Sequence, residues 1–327
     1  MTTTTSDVPF FYVSSRGGSA STWLSRSLSK HPRVVAMHGT RAVPDFAIGG
    51  NYHHVPPKEF FKYLIECAGT TQGEKYFGAI HLYYGAKAKR AADELGGIFS
   101  AIIRDPIRRI NSLYWSNAQR SMGGRGAHIN DVEQFMQSMP ESAFECPPLP
   151  RIEPLIYKYE EKESAENAGL LETFKAPLRR IKYTYLTNST PRPSPGEATN
   201  NDIAASMAEK FVNYSTSILW SDLECHRATK KEGRMIKMEE MVASGEYFRN
   251  SVWPNIAPHL DCSDEFLNSV FTSGVFNKHS YQKDETNGIF AKWPESYRQV
   301  VQQAFDLLGR DEMESMYESF GYHLPWK

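Results

Sequence analysis

With 327 residues, 37 Lys and Arg against 38 Asp and Glu, and a net charge of −1, the chain lacks the basic excess of a dedicated nucleic-acid protein. A 40% hydrophobic share with 13% aromatics excludes a disordered or fibrous chain and suffices for a sizeable core. The four cysteines (Cys67, Cys146, Cys225, Cys262) stand singly, which argues against a disulfide framework or a zinc site and points to a reducing, cytoplasmic compartment. No stretch approaches the roughly 20 apolar residues of a membrane span. Met1–Asp7 is polar and shows no signal-peptide pattern.

Along the chain, Val8–Val13 is the first apolar run, rich in aromatic and β-branched residues, and it predicts a buried strand. The small-residue stretch Ser14–Ala20 follows. Helical spacing then covers Thr22–Lys30, closed by Pro32. Val34–Met37 predicts a strand, Lys58–Ala68 a helix, Tyr76–His81 a strand, Ala86–Leu95 a helix and Ile98–Ile103 a strand. Pro106 suits a helix N1 position. This alternation predicts βαβ units, an α/β chain with a central parallel sheet flanked by helices. The stretch 139–201 differs: nine prolines and the run Glu160-Glu161-Lys162-Glu163 predict an insertion or lid with one or two helices inside a single domain spanning 1–327. Afterwards Ile203–Leu219 predicts a helix, Met235–Met238 a strand and Glu239–Phe248 a helix. Tyr297, Val300, Val301, Ala304, Phe305 and Leu308 mark an amphipathic helix.

Two segments carry chemistry. A Gly- and Ser-rich loop between a buried strand and a helix suits a phosphate, because glycines allow close backbone approach and the first helical N–H groups face the anion. Ser19, Ser21 and Thr22 add hydroxyl donors, and Arg16 adds a charge. An ordinary βα turn uses the same residues. No Gly-Lys-[Ser/Thr] follows, so a Walker-type Mg-nucleotide site is not supported. The second segment is the strand Ile98–Ile103 running into Arg104-Asp105-Pro106. Arg104 then lies at the carboxyl edge of the sheet, where open α/β sheets bind ligands. Arg108 and Ser112 share one helix face. An arginine at the strand end with a serine one turn into the helix suits a dianionic phosphate. An arginine closing its own loop is the alternative.

Together these segments resemble the family of sulfotransferases that use 3′-phosphoadenosine 5′-phosphosulfate (PAPS) and release 3′-phosphoadenosine 5′-phosphate (PAP). The match rests on Arg104-Asp105-Pro106 with Arg108 and Ser112, and more loosely on Gly18-Ser19-Ala20-Ser21-Thr22-Trp23-Leu24. The family's loop usually begins with lysine, whose position Gly18 takes. The resemblance covers Val8–Ser112 and extends weakly to Met235–Met241, Lys278–Trp293 and a final helical segment closing on Gly321-Tyr322. It implies a three-layer, P-loop-like fold and no metal. It also implies a nucleotide held by Arg16, Gly17, Gly18, Ser19, Ala20, Ser21, Thr22, Trp23, Arg104, Ser112 and Lys278. Trp23 is open to adenine stacking or to core packing. His81, in Ala79-Ile80-His81-Leu82, looks like the family's general base, and Arg16 stands in for the missing lysine. His38 competes as base, as do Glu59 or Asp45 in the branch with an acidic base. The resemblance implies an acceptor hydroxyl or amine. Near-neutral charge favours a small metabolite, lipid or short glycan over a long polyanion. A nucleoside or small-molecule kinase on the same fold and a non-catalytic nucleotide- or glycan-binding module are the alternatives.

Overall fold

A computed structural model describes residues 9–15, 17–38, 56–72, 74–80, 85–123, 132–149, 199–272 and 286–327. In chain order the elements are β1 (Phe10–Ser14), α1 (Ser21–Leu28), β2 (Val34–His38), α2 (Pro57–Thr70), β3 (Tyr76–Ile80), α3 (Gly85–Glu94), β4 (Ile98–Ile103) and α4 (Pro106–Gly123). They continue with α5 (Val132–Ser138), α6 (Asn200–Thr229), β5 (Met235–Lys237), α7 (Met238–Ala243), α8 (Asp264–Thr272), α9 (Thr286–Lys292), α10 (Glu295–Leu308) and α11 (Arg310–Ser319).

The five strands form one parallel sheet in the order β2-β3-β1-β4-β5. Both faces are covered, so the central strands are apolar throughout rather than alternating. Successive β1 residues show this. Phe11 and Val13 pack with Trp23, Leu24 and Leu28 of α1, and Phe10 and Tyr12 pack with Phe60 and Phe61 of α2 and Ala88 of α3. Gly78 of β3 fits only as glycine, since a Cβ there would lie 2.3 Å from the Phe11 ring. A third cluster joins α4, α6, α9, α10 and α11, with Phe211 stacked on Tyr297 at 4.0 Å and Tyr114 OH 3.0 Å from Tyr297 OH.

Three sequence expectations need correction. The expected helix Ile203–Leu219 is the middle of the longer α6, which Thr199 opens with a capping box to Asp202. The expected helix Glu239–Phe248 breaks at Ser244, whose hydroxyl accepts from Tyr247 N at 3.1 Å. It resumes as short turns through Gly245–Tyr247, Phe248–Val252 and Trp253–Asn255. β5 stops at Lys237, with Met238 already helical. Of the expected insertion, residues 150–198 lie outside the described residues. Its near end is tied down: Phe144 is buried, and its carbonyl accepts from Ser296 Oγ at 3.0 Å. Among the described residues no helix is long and apolar enough to cross a membrane.

Candidate functional site

The sheet order fixes where a ligand would sit. From β1 the chain leaves toward β2 on one side, and from β4 it leaves toward β5 on the other. Neighbouring strands whose connections diverge open a crevice at their carboxyl ends. The loop after β1 and the Arg104-Asp105 turn after β4 border it.

The β1 loop lies directly on α4. A Cβ on Gly17 would come within 2.9 Å of Leu113 Cδ1, and one on Gly18 within 3.3 Å of the Arg109 carbonyl. Gly18 has φ 76° and Ala20 φ 57°, so the chain makes two left-handed steps before entering α1. The Ser15 and Ser19 hydroxyls hydrogen-bond to each other, and Ser19 is fully buried. Ala20 offers no side-chain cap to α1, whose first N–H groups are the usual orphan donors of a helix start.

Arg104 is 4% exposed. Its Nη1 donates to the Gly18 carbonyl, while Nε has no hydrogen-bond partner among the described residues and lies 3.9 Å from Glu239 Oε1. Burial holds this guanidinium below its ordinary range, and the Glu239 carboxylate opposes that shift. Asp105 Oδ1 accepts from Arg108 N at 2.9 Å at the start of α4, and its Oδ2 accepts from Thr286 Oγ1 at 2.6 Å. Glu239 is itself fixed: Oε2 accepts from Tyr322 OH at 2.6 Å and Oε1 from Asp105 N at 3.4 Å. Burial raises the Tyr322 phenol far above its ordinary value, with Glu239 adding to the shift, so it stays a donor.

Arg109 is the main feature that the motif pattern does not pick out. The pattern pairs Arg108 with Ser112, yet Arg108 is half-buried, whereas Arg109 is 1% exposed. Arg109 Nε donates to the Gly17 carbonyl at 3.3 Å and Nη1 pairs with Asp222 of α6. Asp222 Oδ2 in turn accepts from Tyr317 OH of α11 at 2.9 Å. No sequence pattern marks it, since Arg109 lies off the Ile107, Ile110 and Tyr114 stripe that α4 turns to the core. Ser112 is buried on the same helix, three residues beyond Arg109.

At the other side of the loop, His38 at the end of β2 has Nε2 3.0 Å from Ser21 Oγ and 3.3 Å from Thr22 Oγ1. Of the two roles open to Trp23, the structure shows core packing: it is 4% exposed, edge-on to Phe248 at 6.1 Å and Phe271 at 6.0 Å. Glu59 is an exposed residue in the first turn of α2, paired with Lys62 at 3.1 Å. Arg16, Asp45, His81 and Lys278 lie outside the described residues. The structure therefore brings together Gly17, Gly18, Ser19, Arg104 and Arg109, with His38, Ser21 and Thr22 alongside. Comparisons of the chain with protein-family models, curated proteins and solved structures find no match.

Proposed function

We propose that this chain is a sulfotransferase on a P-loop-like fold, which moves the sulfuryl group of PAPS to a hydroxyl or amine of a small metabolite, lipid or short glycan. The observation that carries this reading is the Arg104 guanidinium. It is buried under the glycine loop with Nε lacking a hydrogen-bond partner among the described residues and Glu239 only at 3.9 Å. A cation taken out of water calls for an anion with good geometry. The strand order and the two left-handed residues of the β1 loop support the same reading.

PAPS supplies a transferable sulfuryl group and a dianionic 3′-phosphate. The chain's own part is to hold both ends. Ser19, Ser21 and Thr22 with the first N–H groups of α1 face the 5′ end, and Arg104 with Ser112 faces the 3′-phosphate. Arg109 holds the loop through the Gly17 carbonyl. His81, proposed from the sequence alone, accepts the proton of the acceptor, and Arg16 and Lys278 add charge from segments outside the described residues.

Calorimetry with PAP, ATP and adenosine 5′-phosphosulfate tests the reading. PAP should bind more tightly than ATP; the reverse would favour a kinase. Arg104→Ala should weaken PAP by about 1.5–3 kcal/mol, the cost of removing a charge-assisted hydrogen bond. Adenosine 5′-phosphosulfate, which lacks the 3′-phosphate, should lose far less. Equal loss for both ligands would remove Arg104 from the 3′-phosphate.

A further inference from the structure

We infer that His38 is the pH-gated cation of the phosphosulfate end of this site. Its Nε2 stands between two hydroxyls, Ser21 Oγ at 3.0 Å and Thr22 Oγ1 at 3.3 Å, both in the first two residues of α1. The described loop from Gly17 to Thr22 contains no lysine or arginine. Arg104 approaches it by a different route, at the Gly18 carbonyl, with Nε left without a hydrogen-bond partner among the described residues.

The two protonation states of an imidazole at such a place do opposite things. Neutral with its lone pair on Nε2, it accepts hydroxyl hydrogens and so competes with a bound anion for Ser21 and Thr22. Protonated, Nε2–H becomes a donor, and both hydroxyls are released to donate to the anion, beside a full positive charge. β2 packs against β3 and α1. The only charged residue of α1 is Arg26, exposed and one turn beyond Thr22, and the only titratable residue of β3 is Tyr76. Tyr76 pairs with Val34, at the far end of β2 from His38. Tyr76 is therefore remote from the imidazole, whereas Arg26 shares the helix face of Thr22 and its charge works against protonation there.

The identity of the anion rests on the sulfotransferase reading; the gate itself rests on the geometry. The two are separated by using inorganic sulfate and adenosine 5′-phosphosulfate, neither of which has a group titrating between pH 5 and 8. The His38 ring signal is identified by its disappearance in His38→Gln and titrated by NMR with and without sodium sulfate. Sulfate should raise its midpoint. Adenosine 5′-phosphosulfate should bind wild type about tenfold more weakly at pH 8 than at pH 5.5, the equivalent of removing one charge-assisted hydrogen bond. His38→Gln should flatten that dependence, and His38→Lys should hold tight binding across the range. An unmoved midpoint, or an undiminished slope in His38→Gln, overturns the inference. A raised midpoint without binding of either adenosine 5′-phosphosulfate or PAP leaves the gate standing and rejects the sulfotransferase reading. Should His38→Gln fail to fold, the sulfate titration of wild type, with the ring assigned by sequential NMR, decides alone.

Discussion

Two of the ion pairs of helix α6, formed five residues apart with other elements, behave as different kinds of object. Asp222 reaches inward to Arg109, and the pair is 4% and 1% exposed. Arg227 reaches outward to Glu312 on α11, at 2.6 Å and 2.9 Å, and that pair is 46% and 42% exposed. Both tie α6 to its neighbours, and both involve α11, the inner one through Tyr317. Only the inner pair continues to the β1 loop, because Arg109 also holds the Gly17 carbonyl. Short distances alone therefore do not separate a clasp on the surface from a support under a site. Burial does, since it sets how much an unpaired charge would cost.

The strongest way to break this contrast is Asp222→Ala. Removing one partner leaves the Arg109 charge buried and unpaired, a change that typically costs 3–5 kcal/mol. Denaturant unfolding should show a loss of about that size, and PAP affinity should fall as the loop loses its anchor. A loss below about 1 kcal/mol, as for a surface pair, would put the inner pair in the same class as the outer one.

A smaller test acts on the loop itself. Gly18→Ala imposes a side chain at φ 76°, a left-handed position that costs a non-glycine residue about 1–2 kcal/mol. Its new Cβ would also press on the Arg109 carbonyl at 3.3 Å. Ala20→Gly, at φ 57°, should shift stability the other way. Thermal unfolding of both variants checks the signs. The same sign for both would show that the loop is held by something other than its backbone geometry.

The sequence reveals these features unevenly, for physical reasons. β4 is legible to the residue because Ile98–Ile103 is apolar on both faces, the mark of a central parallel strand. α6 extends past its apolar period at both ends. Its start is set by the Thr199–Asp202 capping box, and its last turns bury Ser221 and Asp222, polar residues that no apolar period detects. Arg104 can be placed at the sheet edge because a strand end and Pro106 bracket it. Arg109 cannot, because its partners lie 92 and 113 residues away in the chain. The pairing of His38 with Ser21 and Thr22 is hidden for a similar reason, being set by how α1 packs on β2 rather than by any motif.

The smallest expected effect sharpens the contrast from its exposed side. The hydrogen bond from Arg227 holds the Glu312 carboxyl below its ordinary value. A carboxyl lowered in the folded state contributes stability above its unfolded pKa, and that contribution is lost as pH falls through the folded value. Since both side chains are more than one-third exposed, solvent screening cuts the pair to about 0.2–1 kcal/mol. Glu312→Gln should therefore lower stability by no more than this at pH 7. The difference from wild type should begin to close below about pH 4.5, the ordinary range of a glutamate, and should also shrink in 1 M salt. Asp222→Ala should keep most of its loss in salt, because buried charges are screened far less. If the Glu312 effect instead survived 1 M salt undiminished, the outer pair would be working as the inner one does, and exposure would not be what divides them.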